Sequence, residues 1–185
     1  MKWHVGSIAA AVLLAQPAIA DDGRKPNAEM QRIFALDQAA RETPPVVGTQ
    51  AQWEALVADD AARRGEVRAL IASGELTTAD DFYAAAVVFQ HGLDPDDQLL
   101  AHTLALVAVA EGHPKALWIA AASLDRYLQA IGQKQIFGTQ FSKSGEAAAW
   151  TQEPFDPTLI SDVLRRRLGV PARAEQTTDL DEMNR

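Results

Sequence analysis

Three alanine-rich segments, each closed by a glycine, limit the architecture of this chain more than any other feature. Residues 78–91 end at Gly92, 94–111 at Gly112, and 113–131 at Gly132. Thr78 and Asp94 are N-cap residues with acids in the turn that follows, and Pro95 stands at a first helical position. Alanine loses no side-chain entropy in a helix, and 35 of the 185 residues are alanine. Three helices joined by turns this short run antiparallel to their neighbours. Residues 99–110 are apolar on nearly every side, which predicts a helix buried all round at the centre of the core.

The flanks fill in the rest. Residues 29–41 carry Met30, Ile33, Phe34 and Ala40 at helical spacing, up to a stop at Thr43-Pro44-Pro45. Residues 53–64, with Trp53, Leu56 and Val57 inward, and 66–73 predict two further helices, the latter ended by Gly74. Residues 135–141 are short, aromatic and β-branched and predict a strand or an ordered loop. Asp156-Pro157 then caps a last helix over 158–168. The expected fold is all-α, a compact bundle of antiparallel helix hairpins with one short extended segment near 135–141. It forms a single helical domain over 29–170, between a flexible lead-in at 21–28 and a disordered tail at 171–185.

Residues 1–20 are not expected to belong to the fold. Lys2 precedes an uncharged apolar run over 8–14, Pro17 breaks it, and Ala18-Ile19-Ala20 is a small-x-small cleavage pattern. This reads as a secretory signal peptide cut after Ala20, because the run is too short to span a bilayer. A periplasmic or secreted location follows. The formal net charge is −8, and losing Lys2 makes the exported chain more acidic still. That balance argues against nucleic acid and anionic membrane surfaces as partners, and no later segment reads as a membrane span. The chain has no cysteine, which excludes a thiol nucleophile, a thiolate metal site and a disulfide scaffold.

Polar residues set in apolar helices are the informative ones, because burying them costs free energy unless they are partnered. Gln90 and His91 end the first middle helix, His102 sits inside the second, and Asp125 and Arg126 follow an apolar run on the third. His91 and His102 differ in height by about 10 Å at 1.5 Å of rise per residue. With no paired-histidine spacing present, neither a metal site nor a cofactor is expected. Phosphate loops, dinucleotide fingerprints and nucleophile elbows are also missing. Asp37 and Arg41, and likewise Asp59 and Arg63, stand four apart on helices and read as ordinary ion pairs.

The run Phe89-Gln90-His91-Gly92, then Asp125-Arg126, then Gly132-x-x-Gln135-x-Phe137-Gly138-Thr139-Gln140 resembles a bacterial domain family of unknown function. Asp37-Gln38-x-x-Arg41 and Asp60-x-x-Arg63 are similar to its N-terminal part, so that the likeness covers about residues 30–141. The resemblance implies a helical fold and a set of positions, but no reaction.

Those positions define the candidate ligand site: Gln90, His91, Asp125, Arg126, Gln135, Gly138, Thr139 and Gln140. The first reading is an exported helical binding or structural module that engages a protein or small-molecule ligand. The alternative is a periplasmic hydrolase in which His91 or His102 is the general base, Asp125 orients it and Arg126 holds an anion.

Overall fold

A computed structural model describes residues 23–42, 49–145 and 148–185 of the chain. The signal-like segment, Asp21-Asp22 and the stop at Thr43-Pro44-Pro45 lie outside the described residues. Among those described there are seven helices and no strand. They are α1 (Ala28–Glu42), α2 (Gln50–Ala72), α3 (Ala79–Gln90), α4 (Pro95–Ala110), α5 (Ala116–Ala130), α6 (Asp162–Arg167) and α7 (Arg173–Met183). The all-α hairpin bundle is the observed architecture, and the described helices pack on one another.

The three middle helices form where the caps and glycines place them. The Thr78 hydroxyl accepts from the amide of Asp81 at 3.2 Å, and Asp94 accepts from that of Asp96 at 2.9 Å. Small side chains let the helices approach closely. Ala84, Ala85 and Ala86 of α3, Ala101 and Ala105 of α4 and Ala120 of α5 are all buried in one core with Met30, Ile33, Val67, Val88 and Phe89.

The buried centre is α3, not α4. Every residue from 84 to 90 is buried, because α1, α2, α4 and α5 all pack against α3. The packing on α4 comes mainly from α3 and α5, leaving Leu99 and Leu106 40% and 50% exposed on its outer side. An apolar composition all round therefore does not mean burial all round.

The two helices expected at 53–64 and 66–73 are one. Helix α2 continues through Gly65, which faces open space. A glycine there weakens a helix by about 1 kcal/mol without ending it.

Three departures lie at the ends of the domain. The lead-in is tied down: Arg24 donates to the carbonyl of Thr77, and the Asn27 amide donates to Asp81 at 2.7 Å. The expected helix over 158–168 shortens to α6, capped by Ser161. The expected disordered tail is α7, whose Gln176 is 1% exposed. Helix α7 is polar along its length, so its composition resembles that of a tail. What holds it is a set of hydrogen bonds made by two of its side chains, Arg173 and Gln176.

The segment 135–141 is an ordered loop. It carries isolated bridges from Gln135 to Phe155 and from Ser142 to Thr151 and belongs to no sheet. Phe137 packs with Ala121 and Val170 in a second, smaller core.

Candidate functional site

Most of the residues singled out by sequence fall into two separate assemblies. The first is a structural knot around Asp125. This side chain is fully buried on α5 and accepts four hydrogen bonds. They come from the amides of Ile136 at 2.8 Å, Phe137 at 3.0 Å and Thr139 at 3.0 Å, and from the Thr139 hydroxyl at 2.8 Å. Gln135, also fully buried, donates to the carbonyls of Gln140 and Gln152 and accepts from the Gln140 amide at 3.0 Å. Gln140 Nε2 donates to Thr139 Oγ1 at 2.8 Å and to the Ala122 carbonyl at 3.3 Å.

Gly138 has φ +80°, and a Cβ there would lie 2.5 Å from Gln176 Oε1 and 2.8 Å from Phe155 Cζ. Only glycine meets both conditions. Arg165, 1% exposed, donates through Nε to the Phe137 carbonyl at 3.2 Å. Gln176 of α7 donates to the same carbonyl at 2.9 Å. A loop this buried needs partners for its backbone groups. Asp125, Gln135 and Gln140 supply them.

His102 stands apart from both assemblies. Its Nδ1 lies 2.9 Å from the carbonyl of Ala120, so this nitrogen donates and the ring cross-links α4 to α5. Asp125 is a hydrogen-bond partner of neither histidine.

The second assembly is built on Asp37, which lies on the apolar stripe of α1 one turn after Ile33 and two after Met30. It is 1% exposed. Its carboxylate accepts from Arg41 Nη1 at 2.9 Å and from Gln38 Nε2 at 2.9 Å, and it lies 3.1 Å from His91 Nδ1. Arg41 also reaches α2, where Nη2 meets Asp60 at 2.7 Å. Arg63 pairs with Asp60, and not with Asp59 as the sequence spacing suggested.

His91 is placed by the end of its helix. It is the C-cap of α3, and the amide of Gly92 closes the turn on Phe89 at 2.9 Å. A Cβ on Gly92 would sit 2.4 Å from that of Asp97, so the close passage of α4 requires glycine here.

Beside this cluster is a cavity of about 470 Å³. Gln38, Arg41, Gln90 and His91 line one side, with Lys115 also at the wall. Tyr83, Val87, Leu117, Trp118, Ile119 and Leu168 supply apolar surface. Gln90 is 7% exposed, and its amide makes no hydrogen bond among the described residues. Lys115, His91 and an Arg41 already shared by Asp37 and Asp60 thus meet an apolar wall in a volume suited to a small organic molecule.

Two neighbours shape this electrostatic field. Arg126 is an exposed residue of α5. Desolvation of its guanidinium by the surrounding protein, and behind it the charge of Arg41, lower its ionisation from the usual arginine value. His113 stacks on Tyr83 with ring centroids 4.0 Å apart and lies 3.5 Å from Asp80. Burial lowers the basicity of His113, with Asp80 opposing that shift and Lys115 adding to it. No three His, Asp or Glu side chains converge on one point among the described residues.

Of the predicted site residues, Gln90 and His91 therefore reach the pocket. Asp125, Gln135, Gly138, Thr139 and Gln140 form the knot, and Arg126 lines no part of the cavity. The ion pair expected between Asp37 and Arg41 is present, but sequence reasoning missed that Asp37 is buried and that it also meets His91. The available signal was an aspartate in phase with Met30 and Ile33.

No family model, curated protein or solved structure matches the chain. Among the described residues no helix is long and apolar enough to cross a membrane.

Proposed function

We propose that this is an exported helical domain that binds a small organic anion in the pocket between α1, α3 and the start of α5. The observation that carries this reading is Gln90. Its residue is 7% exposed, its side-chain amide has no protein partner, and what is left open of it faces the cavity, where a ligand can take the place of solvent. Lys115, which pairs with no carboxylate among the described residues, favours a carboxylate or phosphate at the polar side. Trp118, Leu117 and Tyr83 favour an aromatic or aliphatic body. Export rests on the signal pattern of residues 1–20, and the mature protein is expected to begin at Asp21.

The test is calorimetric titration with N-(4-nitrophenyl)succinamic acid, an aromatic amide carrying a carboxylate. Saturable binding is expected, weakened about tenfold by Lys115→Ala, equivalent to about 1.4 kcal/mol. Lys115 is exposed, so the variant keeps its fold. Binding that is absent, or unchanged by Lys115→Ala and Gln90→Ala together, overturns the reading.

A further inference from the structure

We propose that this pocket is catalytic: His91 acts as general base and then general acid in the hydrolysis of a small ester carrying an anionic group, and Asp37 is its positioning residue. The proposal rests on the binding reading above and adds an activity to it.

A carboxylate only accepts, so the contact between Asp37 and His91 Nδ1 at 3.1 Å places the ring proton on Nδ1. The lone pair of the neutral ring is then on Nε2, on the far side from Asp37. Nε2 has no hydrogen-bond partner among the described residues, and its side chain lines the cavity. Asp37 cannot swing away, because it is buried and held from two further sides by Gln38 and Arg41. A buried acid that orients an imidazole, whose other nitrogen is left for the pocket, is the arrangement that proton transfer requires. It does not resemble the settled role of His102, whose ring serves to cross-link two helices.

The other pieces are within the same cavity. Arg41, shared between Asp37 and Asp60, lines the same cavity and fixes the position of Asp37. Lys115 offers a cation for the anionic group of the substrate. The unpaired amide of Gln90 can hold the attacking water or the ester carbonyl. Trp118 and Leu117 face the apolar remainder.

The step balances without a further reactant. His91 Nε2 takes a proton from water while the water oxygen bonds to the carbonyl carbon. The tetrahedral oxyanion collapses, the bond from that carbon to the alcohol oxygen breaks, and the protonated His91 returns its proton to the leaving oxygen. One ester and one water give one carboxylic acid and one alcohol.

The test uses the full chain and 4-nitrophenyl hydrogen succinate, followed by release of nitrophenol. Saturating turnover is expected, with kcat lowered about 100-fold or more in His91→Gln. Asp37→Asn should lower kcat by a similar factor with KM little changed, because it loses the tautomer and not the pocket. Added imidazole should restore part of the rate to His91→Ala, which shows that the variant is folded. Turnover that survives His91→Gln, or an Asp37→Asn variant that raises KM alone, overturns the proposal. If the matching succinamic amide binds but the ester is hydrolysed no faster than by His91→Gln, catalysis falls and binding stands. If neither compound engages the protein, both readings fall.

Discussion

Asp37 and His91, 54 residues apart, meet at 3.1 Å where α1 crosses the end of α3, and this contact sets one edge of the pocket. The separation explains why the two residues carry little meaning alone. Asp37 has a nearby arginine at i+4, and His91 has a helix end, so each has an ordinary local explanation. Only the packing of α1 on α3 joins them.

The two polar assemblies should respond differently to mutation. Asp125→Ala leaves three loop amides and the Thr139 hydroxyl without their acceptor. A cost of about 4 kcal/mol is expected, lowering Tm by about 10 °C. His91→Gln leaves Asp37 with Gln38 and Arg41 and should cost less than about 1 kcal/mol. Thermal unfolding of the two variants checks this. Equal losses would show that His91 belongs to the structural framework.

Deleting residues 173–185 should destabilise the domain. Gln176 caps the Phe137 carbonyl, and the Arg173 guanidinium lies 4.4 Å from the centre of the Phe155 ring. Losing both uncovers the loop over 135–140, and a fall in Tm of several degrees is expected. A truncated chain that melts like the whole one would mean that α7 contributes nothing to the fold.

Much of the bundle was legible because its rules are local. Caps at Thr78 and Asp94 and stops at Gly92, Gly112 and Gly132 act within one turn, and they placed α3, α4 and α5 to within about three residues. Helix α7 was not legible, because it is held by two polar side chains reaching distant carbonyls and not by an apolar stripe. The site was half legible. Gln90 and His91 stood out against apolar neighbours, whereas Tyr83, Lys115 and Trp118 look like ordinary helix residues until α3 and α5 are set side by side. Asp125 and Gln140 stood out for the same reason as His91, but they serve a loop. Polar residues in apolar surroundings indicate that a partner exists without indicating whether it is backbone or ligand.

His113 predicts a pH dependence. Burial disfavours its protonated form in the folded state. As pH falls through about 6.5, the ordinary histidine value, the unfolded chain takes up the proton first. Stability therefore drops in that window and continues to drop until the folded form also protonates; above the window the residue has no effect. His113→Phe keeps an aromatic ring against Tyr83 and removes the titration. Urea midpoints at pH 7.5 and 5.5 should fall more for the wild type than for the variant. Equal falls would contradict the burial argument.

The central claim is that the cavity bounded by Arg41, Gln90, His91 and Trp118 is where this protein meets its ligand. A crystal structure of the full chain with N-(4-nitrophenyl)succinamic acid, at a concentration that saturates binding in solution, tests it most directly. The carboxylate is expected on Lys115, with a hydrogen bond from Gln90 and the ring against Trp118. Ligand seated elsewhere, with this cavity unoccupied and the Gln90 amide still unpaired, would contradict it.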